Sequence, residues 1–281
     1  QTPVGKEIGT AGYYAATVDH SIRAELTVTE RTGMARYTFS SKEKQGTVII
    51  GGGVAATSIQ VAAIKITGPH SCEGYAEGGA FCGIPTPYKV YFVAEFDADA
   101  ESFGTWKEER LHANHTFAEG SHSGVYFTFP LKEGNQAVQY KIGVSYVSVE
   151  NARENLRVEN PAWDFSAVRQ ATQDKWNEYL GKIEVEGDNE DRQMQFYTHL
   201  YRSLIHPNVC SDVNGEYMGA DSQVHKTARK FYTSFSNWDT YRTQTALIAM
   251  LAPEETSDIV MSHYLFAEQS GGGFPRWVLA N

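Results

Sequence analysis

Two short segments near the end of the sequence carry the residue types from which chemistry could be built. The first is Ser236-Asn237-Trp238-Asp239-Thr240-Tyr241-Arg242. The second is Phe266-Ala267-Glu268-Gln269-Ser270-Gly271-Gly272-Gly273-Phe274-Pro275-Arg276-Trp277. A Trp beside an Asp, with an Arg close by, matches what a pyranose ring asks of a binding surface. The indole offers an apolar plate for the C–H face, the carboxylate accepts from vicinal hydroxyls, and the guanidinium supplies a fixed donor fork. The second segment adds an Arg-Trp pair behind a glycine run, where backbone can approach a ligand closely. Trp238, Asp239, Arg276 and Trp277 are the candidate substrate-binding residues.

Each motif also has a plain structural reading. Asp239 could cap the helix that follows, with Trp238 filling a core. Arg242 lies one position short of i+4 from Asp239, so a modest intrahelical pair would account for it. One glycine is enough to stop a helix. Three, leading into an aromatic–Pro–Arg–Trp run, read as a loop shaped around something, with a flexible connector as the alternative.

Other clusters say less. The nine histidines form no recognised metal-ligand spacing. His112 and His115 fall in what reads as an exposed loop, and His199 and His206 read as core or domain-contact residues on one helix. Gly51-Gly52-Gly53 reads as a turn; no Lys-Ser/Thr follows it, so a phosphate loop is excluded. No serine nucleophile elbow is present. Cys72 and Cys82 flank a glycine-rich loop that a disulfide could close; two packed thiols are the other reading, and Cys210 reads as buried. No second Cys or His pair completes a zinc set. Asn114-His115-Thr116 fits a glycosylation sequon.

The elements that must position these residues divide the sequence in two. Over 281 residues, 41% are hydrophobic and 12% aromatic, ample for packed cores. A formal net charge of −10 argues against a nucleic-acid partner. No apolar run approaches the roughly 20 residues of a membrane span. Gln1-Thr2-Pro3-Val4-Gly5 lacks the basic start and apolar core of a signal peptide. Residues 1–150 read as a β domain: runs such as Ile22–Val28, Val61–Ile66, Lys89–Phe96 and Gln139–Tyr146 alternate with period two. Turn chemistry at Thr32-Gly33, Thr67-Gly68-Pro69 and Glu133-Gly134-Asn135 separates such runs. Many short strands with few helical patterns predict an antiparallel β-sandwich.

After Val149 the period changes. Asp164 is a plausible N-cap for a helix carrying Phe165, Val168, Thr172, Trp176, Tyr179 and Leu180, which Gly181 ends. Residues 151–186 thus form a helical linker. Residues 187–281 continue with a helix from about 189 to 205, a hairpin turn at 212–217, and helices near 239–251 and 254–269.

The C-terminal third resembles glycoside hydrolase family 92. The resemblance is carried by Phe196-Tyr197-Thr198-His199-Leu200-Tyr201-Arg202-Ser203-Leu204, by Pro207-Asn208, Ser211-Asp212-Val213 and Gly215, and by Tyr232-Thr233. The two segments quoted at the outset carry it as well. In the β region, Gly12-Tyr13-Tyr14, Ala24–Arg31 and Tyr91–Phe96 look like that family's sandwich strands. The resemblance implies a β-sandwich, a helical linker and an (α/α)6 barrel with the active site between sandwich and barrel. It also implies a secreted or extracytoplasmic, calcium-dependent, exo-acting, inverting α-mannosidase of mannose-containing glycans. A mannosyl-phosphodiester-cleaving member of the family and a non-catalytic carbohydrate-binding polypeptide are the alternatives. Carried over by position, Trp238-Asp239 matches the barrel segment that reaches the terminal mannose, and Asp239 is the candidate for hydroxyl recognition. The family's catalytic acid, base and calcium ligands fall beyond Asn281, so no catalytic or metal residue is assigned here. On this resemblance the chain is an internal piece: a sandwich lacking its first strands, and the first helices of a barrel whose remainder would be its partner. Alone it is expected to be inactive and to expose apolar helix faces.

Overall fold

The structure, a computed structural model, describes residues 4–19, 21–52, 59–79, 87–133 and 136–278. The chain divides into two compact units, Gln1–Thr172 and Gln173–Ala280.

The first unit begins with thirteen strands among the described residues: β1 (Val4–Thr10), β2 (Tyr13–Val18), β3 (Ile22–Val28), β4 (Thr32–Thr38), β5 (Gln45–Gly51), β6 (Val61–Gly68), β7 (Ser71–Gly79), β8 (Pro87–Phe96), β9 (Ser102–Lys107), β10 (Arg110–Ala113), β11 (Phe117–Glu119), β12 (Ser123–Pro130) and β13 (Ala137–Ser145). They form a nine-stranded sheet, ordered β1-β2-β3-β4-β13-β8-β7-β6-β11, and a four-stranded sheet, ordered β10-β9-β12-β5. All of these pairings are antiparallel. The side chains that alternate inward from both sheets meet in one core. Val48, Val125, Phe127 and Phe129 come from the smaller sheet, and Ile64, Ile66, Cys72, Phe92, Phe96 and Val138 from the larger. Phe96 sits at its centre, with ring centroids 4.9 Å from Phe127 and 4.8 Å from Phe129. Burial at this depth contributes about 1.5–3 kcal/mol per large side chain, which makes the period-two pattern the main determinant of the fold. Cys72 lies in this core, and burial pushes its thiol up to about 12. Cys82, with the proposed disulfide, lies outside the described residues, as do Gly53, Gly134 and Asn135.

Two local expectations are corrected. Thr32-Gly33 is not a turn but the start of β4; the reversal lies just before it, where Thr29 N–H donates to Thr32 O at 2.8 Å. A helix also occupies the stretch between the change of period and the first helix expected from the sequence. Helix α1 (Val149–Glu159) precedes the expected one, with Ser148 Oγ accepting from Asn151 N–H at 3.0 Å as its N-cap. Its Ala152 and Leu156 lie against Val93 of the larger sheet. Gly143 permits this approach: a Cβ there would sit 2.2 Å from Ala152 O. Lys141, almost fully buried, donates through Nζ to Asn160 O at 2.9 Å and Pro161 O at 3.3 Å, and lies 4.4 Å from the centre of the Trp163 ring. The charge thus ties down the chain between α1 and α2 (Phe165–Leu180). Helix α2 opens as expected, with Asp164 Oδ1 accepting from Ala167 N–H at 2.9 Å and Phe165 buried beside Tyr13 and Met34.

The second unit takes the rest of α2 and then α3 (Glu190–Ser203), capped by Asn189 Oδ1 at Arg192 N–H, 3.0 Å. Helix α3 ends before His206, so His199 and His206 do not share a helix. Short ladders follow: β14 (Asn208–Val209) with β17 (Tyr232–Thr233), and the hairpin β15 (Glu216–Met218) with β16 (Val224–Lys226). Then come β18 (Phe235–Ser236), α4 (Asn237–Thr240), α5 (Gln244–Leu251), α6 (Pro253–Gln269) and β19 (Trp277–Val278). The single helix expected near 239–251 is therefore two, separated at Tyr241–Thr243. Helix α6 begins with Pro253, whose missing N–H removes no intrahelical bond in a first turn.

Candidate functional site

A two-residue ladder joins the two motif segments. Strands β18 and β19 run antiparallel, with Phe235 opposite Val278 and Ser236 opposite Trp277. One residue on, Asn237 N–H donates to Arg276 O at 3.1 Å. Segments about 40 positions apart in sequence are thereby fixed side by side, and Trp238-Asp239 leave the ladder where Arg276 enters it.

The glycine run makes this return possible. Gly272 N–H donates to Ala267 O at 2.6 Å, closing α6 with a bond that spans five residues, and Gly271 and Gly272 take positive φ of 82° and 102°. That backbone suits glycine and turns the chain back toward β18. Pro275 is buried behind the turn, while Arg276 is exposed.

Asp239 does not cap a helix. It lies inside α4, whose N-cap position is Ser236 and whose cap carries no side-chain hydrogen bond. The Ser236 hydroxyl instead donates to Asp239 Oδ2, and the residue is exposed. Trp238 fills no core, since 54% of it is accessible. The structural alternatives for this pair are therefore set aside. Arg242 does not pair with Asp239 among the described residues; its Nε donates to Tyr241 Oη at 2.6 Å, and its guanidinium stands 5.4 Å from the centre of that ring. Trp277 is half-buried.

Beside the ladder lies a cavity of about 260 Å³, lined by Phe235, Ser236, Asn237, Thr240, Gln244 and His263 among others. That is just under the roughly 300–1,000 Å³ of small-molecule pockets. None of Trp238, Asp239, Arg276 and Trp277 lines it. The structure thus brings the two candidate segments side by side, with Trp238, Asp239 and Arg276 exposed and Trp277 half-buried, while the cavity is lined by their neighbours Ser236, Asn237 and Thr240.

Two residues that the sequence reading passed over connect the parts. Asn237 Nδ2 donates to Pro275 O at 2.5 Å and meets His263 Nε2 at 2.9 Å, while His263 Nδ1 donates to Ile259 O at 2.8 Å. Burial holds His263 below its ordinary value, against the opposing effect of the Ile259 carbonyl. The available signal was weak: a lone His on the helix between the two motifs, four residues after Ile259.

Among the described residues, no three His, Cys, Asp or Glu side chains converge to hold a metal. His112 and His115 stack 5.3 Å apart, and Asn114 between them is exposed at a φ of 62°. Asp221 and His225 pair at 3.0 Å across the β15–β16 turn. Cys210 is buried, with its thiol pushed up to about 12.

Comparison with known proteins agrees on one relationship. Residues 2–145 match the glycosyl hydrolase family 92 N-terminal domain, and residues 151–281 match the family's catalytic domain. A curated relative from Arthroderma benhamiae, described as an uncharacterized secreted glycosidase, is 26% identical over 255 residues, covering 83% of this chain and 32% of its own. A GH92 α-mannosidase from Bacteroides thetaiotaomicron superposes with a TM-score of 0.89 at 24% identity, over 99% of this chain and 38% of its own. A GH92 inverting mannosidase from the same species gives 0.88 at 25% identity, over 98% and 37%. The chain therefore spans about a third of the length of these relatives. With both domain matches in register along nearly its whole length, the chain belongs to glycosyl hydrolase family 92.

Proposed function

We propose that this chain supplies the β domain and the opening helices of the catalytic domain in a secreted, exo-acting, inverting and calcium-dependent α-mannosidase that removes terminal mannose from glycans. The observation that carries the reading is the β18–β19 ladder, which brings the segment that leads into Trp238-Asp239 alongside the one that carries Arg276-Trp277. The mannosidase neighbours and the secreted relative support it. So does the formal net charge of −10, which suits a neutral ligand better than a polyanion. Among the described residues no helix is long and apolar enough to cross a membrane.

In this reading the residues of the chain bind and orient. The Trp238 indole takes the C–H face of the sugar, and the Asp239 carboxylate accepts from hydroxyls on the ring edge. The Ser236 hydroxyl, donating to one Asp239 oxygen, leaves the other side of that carboxylate to the sugar. Arg276 adds donors from the neighbouring strand. Inversion needs a carboxylic acid at the leaving oxygen and a carboxylate base for water, about 6.5–9.5 Å apart; no residue described above is assigned to either role. Bound calcium would supply a hard Lewis acid for sugar hydroxyls. The deciding experiment is an α-mannosidase assay of the complete gene product with and without a calcium chelator. Turnover that the chelator abolishes is expected. Absence of turnover on any α-mannoside, with calcium present, would end the proposal.

A further inference from the structure

We propose that Asn237 and His263 are positioning residues, which hold the Trp238-Asp239 turn and the Arg276-Trp277 strand in fixed relation for binding one hexose. The inference rests on the mannoside reading above. Asn237 commits three donors to this bracing. Its backbone N–H goes to Arg276 O at 3.1 Å, and its side-chain amide to Pro275 O at 2.5 Å and His263 Nε2 at 2.9 Å. The Pro275 carbonyl fixes the orientation of the amide, because the amide oxygen could not face it. With Nδ1–H committed to Ile259 O at 2.8 Å, His263 is left with Nε2 as the acceptor that Asn237 needs. The imidazole is further held by Phe235, whose ring centroid lies 4.0 Å away. A single residue of helix α6 thus grips the start of α4, and through it the strand that follows the glycine run. Small displacements of a binding group are costly, about a hundredfold for 1 Å in oriented reactions.

The test is Asn237→Asp in the complete gene product. The carboxylate keeps the amide's shape but faces an acceptor at Pro275 and another at His263. With 4-nitrophenyl α-mannoside, kcat/KM should fall at least about tenfold, mostly through KM, as loss of uniform binding requires. In selectively ¹⁵N-histidine-labelled protein at neutral pH, the wild type should show His263 neutral and protonated on Nδ1, and the variant should show it charged. The histidine signal reports the Asn237–His263 contact itself, and a packing role alone would leave KM unchanged. If folded N237D keeps wild-type KM, the positioning role is overturned while the mannoside reading stands. A wild type that neither binds nor hydrolyses α-mannosides removes both. Should N237D fail to fold, His263→Phe decides: it retains the ring against Phe235 and offers no acceptor. A raised KM in H263F supports the inference, and a wild-type KM overturns it.

Discussion

At the scale of single residues, Asp239 is the sharpest point of contact between sequence and chemistry. Its carboxylate is exposed, receives the Ser236 hydroxyl and is committed to no helix end. Asp239→Ala in the complete gene product should therefore lower kcat/KM by at least about tenfold, or about 1.4 kcal/mol, without loss of folded protein. Ser236→Ala should act in the same direction and by less, since it frees the carboxylate to reorient but leaves its charge in place. Steady-state kinetics on an α-mannoside checks both, and wild-type behaviour in D239A would remove the residue from the site. Trp238 and Asp239 were legible in the sequence because their types announce a use. Asn237 and His263 were not. Their meaning lies in a hydrogen bond across 26 positions, which no local period or motif encodes.

At the scale of elements, legibility followed the strength of the pattern. The run Ile22–Val28 is β3 residue for residue, and Val61–Ile66 falls inside β6, because alternation over a half-buried face leaves one register. Helix α1 left little trace in the sequence because it is short and rich in charge, with only Val149, Ala152 and Leu156 to mark its apolar side. What places it is the bare backbone of Gly143 on the strand below. Gly143→Ala tests that dependence. The new Cβ would meet Ala152 O at 2.2 Å and Leu156 Cβ at 2.8 Å, and the first is backbone that cannot swing aside. Overpacking of this kind costs about 1–3 kcal/mol. Urea unfolding should report a loss of that size, with the midpoint and not the slope moving. An unchanged midpoint would mean that α1 can slide over the sheet without penalty. The break between α4 and α5 was equally hidden, because no proline or glycine marks Tyr241–Thr243.

At the scale of the molecule, apolar exposure and titration each make a claim. In the second unit Met250 is 79% exposed and Val260 63%, with Tyr264 and Phe274 also open to solvent. Apolar surface of this kind favours association. The 281-residue chain by itself should show concentration-dependent mass in sedimentation, reduced by joint Met250→Lys and Val260→Lys; a monomer at all concentrations would contradict this. Titration reaches further, because the shifted groups are divided between the units. His263, in the second, is held below 6.5 by burial. The unfolded chain therefore takes up its proton first, so the stability this histidine confers is complete above about pH 6.5 and is lost as pH falls through the folded value. Glu25 in the first unit and Glu255 in the second are raised by burial, but hydrogen bonds from Tyr13 and Arg36, and from Tyr179, outweigh it and leave both below 4.5. Their contribution is present above that value and lost only in stronger acid. Acid should thus weaken the second unit before the first. Trp106 and Trp163 report on one unit, and Trp176, Trp238 and Trp277 on the other. Urea midpoints read from variants that keep tryptophans in one unit alone should separate between about pH 7 and pH 5, with the second unit falling first and His263→Phe removing that early loss. Midpoints that decline together over this interval would show that the histidine is not buried as its neighbours imply.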